Sequence, residues 1–170
     1  ADTMWPNTED TAPLVASMGA DLVLHGGDVQ YESGLVDSWN TYFDIFGDVF
    51  RSSLVTWCVG NHEFEWGDGN DGEYTQYFLG LLSPPDDAAP APNYRRLTVG
   101  QLAVFEVDSE ADYEQSLDDP EGAQRQWLER ELAIAAADPA IKTIIVAFHR
   151  PYLCFGKSGM RRDRMAWMHP

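Results

Sequence analysis

A chain of 170 residues and 19.1 kDa, 44% apolar and 12% aromatic, is long and hydrophobic enough to bury a core, which excludes a disordered tract. Its 28 acidic against 11 basic residues leave a net charge of −17. A surface of that sign repels phosphate backbones and anionic lipids, which argues against a nucleic-acid scaffold and a membrane-surface module, yet a small anionic substrate stays compatible where a bound cation reverses the local potential.

The pattern of apolar residues alternates helix and strand. Asn7-Thr8-Glu9-Asp10 supplies capping oxygens and first-turn acids, so a helix is expected to run to about Met18 and stop at Gly19. Asp21 to His25 reads as a short strand, with a continuous apolar centre that predicts burial on both faces, and Gly26-Gly27 ends it. A second helix is expected over Leu35 to Phe50, burying Leu35, Val36, Trp39, Tyr42, Phe43, Ile45 and Phe46. Leu54 to Val59 is the next strand, closed by Gly60. Residues 65–73 read as a Gly-rich acidic loop, Tyr74 to Leu82 as a short helix, and Pro84, Pro85, Pro90 and Pro92 mark a further irregular stretch. Asn93–Val99 and Gln101–Asp108 predict an antiparallel pair joined at Gly100. Pro120 opens an amphipathic helix through about Ala136, with Trp127, Leu128, Leu132 and Ile134 as core candidates, and Thr143 to Phe148 has the composition of a buried strand. The strand pattern resumes beyond the proline-rich stretch, so residues 1–170 are expected to form a single domain. The chain opens at Ala1-Asp2 without a strand and stops at Met168-His169-Pro170 in what reads as a new helix, which predicts part of a longer domain.

Three strand ends carry polar residues able to hold metal: Gly27-Asp28-Val29-Gln30-Tyr31, Gly60-Asn61-His62-Glu63 and His149-Arg150-Pro151. Ligands in open α/β sheets bind beyond the carboxyl ends of strands, so clusters far apart in sequence can converge there. Carboxylate, amide, phenol and imidazole donors suit Fe, Mn or Zn. A carboxylate bridging two cations about 3.5–4 Å apart allows both the attacking and the leaving oxygen of an in-line displacement to be clamped, with a metal-bound hydroxide as nucleophile.

The blocks Gly27-Asp28, Gly60-Asn61-His62-Glu63 and His149 resemble the calcineurin-like metallophosphoesterase superfamily. Gly27-Asp28 followed by Tyr31, and the stretch Val146 to Cys154, are similar to its purple acid phosphatases. The segment Tyr94 to Leu132 is similar to the hairpin and helix that precede the His block in that family. The resemblance implies an α/β fold, a metallophosphoesterase-type β-sandwich flanked by helices, lacking here the first strand and a C-terminal helix and strand with the block Gly-His-x-His. It implies a dinuclear centre of Fe(III) with Fe, Zn or Mn, in which Asp28 bridges the metals, Asp2 and Tyr31 hold the first, and Asn61 and His149 hold the second. Two departures stand out: Met4 replaces the glycine expected in the first block, and Gly-His-x-His is missing. His62, adjacent to a ligand, is the candidate to protonate the leaving alkoxide or steady the transferring phosphoryl group.

The reading of function that follows is hydrolysis of phosphate monoesters, with a small phosphorylated molecule as partner and a secreted, lysosomal or vacuolar setting implied by the resemblance alone. Two alternatives remain: a phosphodiesterase or nucleotidase of the same superfamily, and a catalytically silent fragment or binding module that keeps the fold. Outside these blocks, His25 is expected to pack or bond to backbone, Arg150 to contact substrate phosphate or form a surface ion pair, and Cys58 to be a small buried apolar residue. The Asp68–Glu73 loop is expected to be a solvated turn, since it lacks calcium-loop spacing.

Overall fold

In the computed structural model, residues 6–29, 36–63, 93–110, 117 and 119–151 are described. The chain divides into two units, one formed by residues 1–57 and 61–91, the other by 58–60 and 92–170. Among the described residues, two sheets and several helices give the mixed α/β architecture expected of the sequence. No helix among the described residues is long and apolar enough to cross a membrane.

In the first unit, α1 (Pro6–Ser17) leads into β1 (Leu22–His25), and α2 (Val36–Ile45) and α3 (Gly47–Ser52) lead into β2 (Leu54–Trp57). Pro6 opens α1, where a missing N–H costs nothing, and Gly19 follows its end with φ 60°. The expected long second helix is interrupted at Phe46, whose φ of −87° and ψ of 9° leave the helical region just before Gly47. Glycine weakens a helix interior through backbone entropy. The hydrogen bonds nevertheless carry on, from the Phe46 N–H to the Tyr42 carbonyl (2.9 Å) and from the Phe50 N–H to the Phe46 carbonyl (3.0 Å). One stripe therefore stays intact: Trp39, Tyr42, Phe46 and Val49 are all buried. Trp39 meets Trp57 of β2 at 5.8 Å between rings, and Tyr42 meets Phe46 at 4.7 Å. Leu35 and the expected helix at Tyr74–Leu82 lie outside the described residues.

β1 and β2 pair in parallel, Leu22 opposite Leu54 through His25 opposite Trp57. Parallel pairing puts both carboxyl ends on one edge, where Gly26-Gly27-Asp28 leaves β1. Burial of β1 on both faces is corrected: all four of its residues are half-buried, in a sheet that has two strands among the described residues. β2 stops at Trp57, two residues before the expected Val59, and Cys58, Val59 and Gly60 continue as buried irregular chain.

In the second unit, β3 (Arg95–Val99) and β4 (Leu102–Glu106) form the expected hairpin. Gly100 takes the first position of its two-residue turn at φ 58°, the left-handed conformation such turns favour. Helix α4 (Ala123–Ala137) crosses over to β5 (Thr143–Ala147), which pairs in parallel with β4. The core comprises Ala103, Phe105, Val107, Leu117, Leu128 and Ala135, with Trp127, Leu132, Val146 and Phe148 packed on it.

Three expectations are corrected here. Helix α4 starts at Ala123 rather than Pro120, after a turn in which the Gly122 N–H donates to the Asp119 carbonyl (3.0 Å). Ile134 is 50% exposed, because the inward stripe runs through Gln124, Leu128 and Ala135 and position 134 falls off it. β5 is a strand, but Ile144 and Ile145 are 38% and 37% exposed; among the described residues it forms one edge of a three-stranded sheet.

Candidate active site

Two consecutive residues after β1 take left-handed backbone, Gly27 at φ 89° and Asp28 at φ 53°. Glycine adopts this freely, whereas aspartate is among the few side chains that tolerate it, at a cost of about 1–2 kcal/mol. What holds the turn is the carboxylate of Glu63. Its Oε2 accepts the Asp28 N–H at 2.9 Å and its Oε1 the Val29 N–H at 2.8 Å. Glu63 is fully buried (0% exposed), in a 3₁₀ turn, Asn61–Glu63, that follows β2.

The tie runs in both directions. The His62 backbone N–H donates to Asp28 Oδ1 at 3.2 Å, and His62 Nε2 stands 4.0 Å from Asp28 Oδ2. The carboxylate of each loop thus takes backbone N–H groups from the other, which registers the end of β1 against the end of β2. Hydrogen bonds to an ionised acceptor contribute about 1.5–3 kcal/mol each. Both Asp28 and His62 keep part of their side chains at the surface, at 14% and 25% exposure, so the pair is reachable from solvent. Asn61 is half-buried at the start of the same turn. The core beneath feels the charge: burial, and after it the Glu63 carboxylate, push the Tyr42 hydroxyl well above the ordinary tyrosine value of 10.0. His25, at the end of β1, packs edge-on against Tyr42 with ring centres 6.2 Å apart, in line with the packing role expected of it.

In the second unit, the carboxyl ends of β4 and β5 are likewise adjacent. His149 is half-buried two residues past β5. Next to it, the Arg150 N–H donates to Ser109 Oγ (3.0 Å), and Arg150 Nε reaches both carboxylate oxygens of Glu110 at 2.6 Å. The ion pair, one of the two roles expected of Arg150, is thus formed. Gln124, fully buried on α4, fastens the loop from below: its Oε1 accepts the Asp108 N–H (2.6 Å) and its Nε2 donates to the Asp108 carbonyl (3.0 Å). Asp108 in turn accepts the Glu110 N–H (2.7 Å) and an Asn93 amide N–H (3.2 Å).

Of the sequence candidates, Asp28 and His62 come together directly and Asn61 shares the turn of His62, while His149 stands in the second unit. Asp2 and Tyr31 lie outside the described residues, as do Cys154 and the Asp68–Glu73 loop. Among the described residues, no three His, Cys, Asp or Glu side chains gather as a metal-holding group. The available donors, a carboxylate, an amide and an imidazole, are nevertheless of the type that suits Fe, Mn or Zn. Sequence reasoning counted Glu63 only within a metal-capable block, and assigned no role to Gln124 or Asp108. Glu63 had a signal as the acid that closes Gly60-Asn61-His62-Glu63, and Gln124 had none, since a glutamine on a helix reads as surface.

The chain matches the calcineurin-like phosphoesterase family over residues 2–167. It is 31% identical over 142 residues to two uncharacterized proteins of Mycobacterium tuberculosis, from strains CDC 1551 / Oshkosh and ATCC 25618 / H37Rv. That overlap takes in 75% of this chain and 26% of each relative, so the chain spans about a quarter of the length of the curated relatives it matches. In fold it is similar to a purple acid phosphatase isolated from yellow lupin (Lupinus luteus) seeds, with a TM-score of 0.58 at 18% identity over 82% of this chain and 25% of that one.

Proposed function

The chain belongs to the calcineurin-like phosphoesterase family, and from that premise we propose that it carries part of a dinuclear metal site that hydrolyses phosphate monoesters. The observation that supports this most is the mutual tie between the Asp28 turn and the Asn61–Glu63 turn, which presents a carboxylate and an imidazole side by side at a shared strand edge. In this reading Asp28, Asp2, Tyr31, Asn61 and His149 are the residues that would hold the metals: Asp2 and Tyr31 a ferric ion, Asn61 and His149 Fe, Zn or Mn, and Asp28 both. When bound, the metal pair supplies a water of lowered pKa and neutralises charge on the phosphoryl oxygens.

The protein's own groups do the remainder. Asn61 would offer its amide oxygen to the cation. His62, partly exposed and with Nε2 4.0 Å from the Asp28 carboxylate, is the group that would protonate the departing alkoxide oxygen. The acidic surface disfavours polyanions such as nucleic acid, which supports a small phosphorylated substrate.

Elemental analysis of the intact protein, with a p-nitrophenyl phosphate assay, tests the reading. Two metals per chain and turnover that falls in Asn61→Ala and His62→Ala are expected. Undiminished turnover in both variants removes the assignment. Faster cleavage of a bis-aryl phosphate than of the monoester moves the substrate class to phosphodiesters.

A further inference from the structure

We propose that Glu63 is a positioning residue for Asp28: by gripping the backbone of residues 28 and 29, it fixes the direction in which the Asp28 carboxylate meets a cation. The inference rests on the functional reading above for the cation, and on the hydrogen bonds for the grip. Glu63 is not itself a candidate ligand. It is fully buried, and its two oxygens take the N–H groups of Asp28 and Val29 at 2.9 and 2.8 Å.

The reason such a grip matters is the backbone it holds. Asp28 sits at φ 53°, where a side chain other than glycine is held only by its surroundings. Return to an ordinary negative φ would rotate the Cα–Cβ bond and carry the carboxylate away from the 61–63 turn. Glu63 opposes that return from the backbone side, and the His62 N–H opposes it from the side chain, at Asp28 Oδ1. Because Glu63 and His62 are consecutive, one turn controls both the backbone and the carboxylate of Asp28. Gln at position 63 keeps the shape but replaces one acceptor oxygen with an NH₂ group, which cannot accept the second N–H.

The test uses the intact protein and its Glu63→Gln variant, with Zn²⁺ as the probe in calorimetry and backbone amide exchange at residues 28 and 29. In the variant, Zn²⁺ binding is expected to weaken about tenfold or more, the scale seen when a partner of a metal ligand is removed. Amide exchange at Asp28 and Val29 is expected to quicken while the rest of the core stays protected. A variant that binds Zn²⁺ as tightly as the wild type, or keeps both amides equally protected, overturns the inference alone. Wild-type protein that takes up no Zn²⁺ and cleaves no phosphoester overturns the functional reading, and this inference with it. Should the variant fail to fold, the wild type decides: slow exchange at both amides supports the grip, and exchange at the rate of open chain refutes it.

Discussion

Tyr42 shows how one buried carboxylate reaches beyond its own hydrogen bonds. Its hydroxyl is pushed far above 10.0 by burial and by Glu63, so the folded state holds it neutral where an unfolded chain would ionise it. A raised pKa contributes stability that is fully present below the unfolded value and is lost as pH rises past it. Stability should therefore fall above about pH 10. Denaturation midpoints at pH 8 and pH 11 check this: the drop should be smaller in Tyr42→Phe than in the wild type, and equal drops would show that the hydroxyl is not the group responsible. At the same scale, His62→Ala should lower kcat on an aryl phosphate about 10²–10⁴-fold, the range for a lost proton donor, with KM little changed. A loss confined to KM would make His62 a binding residue instead.

Among the elements, α4 separates residues that look alike in the sequence. Leu128 and Ile134 are both large and apolar, but Leu128 is fully buried and Ile134 is 50% exposed. Leu128→Ala should cost about 2–5 kcal/mol, and Ile134→Ala well under half of that. Urea titrations of the two variants measure the difference, and similar midpoints would contradict the placement of the helix face. Gln124 extends the argument to polar groups. It satisfies both the N–H and the carbonyl of Asp108, so Gln124→Ala leaves two buried backbone groups without those partners. A loss of about 1–3 kcal/mol is expected in the same titration. The loop it fastens also carries Ser109 and Glu110, which brace Arg150 next to His149. Helix packing, loop anchoring and the placement of a candidate ligand are thereby linked through one side chain.

For the molecule as a whole, a net charge of −17 means that folding concentrates like charge, and screening should relieve it. The melting temperature should rise between about 10 mM and 500 mM NaCl, where the Debye length shortens from roughly 30 Å to under 5 Å. A fall or a flat response would show that local ion pairs such as Arg150–Glu110 and Arg96–Glu131 outweigh the net repulsion. Much of the fold was legible in the sequence by itself. Glycines at 19, 27 and 100 and the alternation of apolar runs marked the ends and types of the elements, because local backbone sterics and hydrophobic periodicity act within a few residues. The block Gly60-Asn61-His62-Glu63 likewise marked the donor types its loop carries, since these are written in residue identity. Tertiary structure alone decided the exposure of Ile134 and Ile145, the break at Phe46, and the partners of Glu63, 34 and 35 residues away in the chain. Those outcomes depend on which strand edge or backbone N–H lies opposite a side chain, and long-range pairing is set by packing of the assembled elements, which no local pattern encodes.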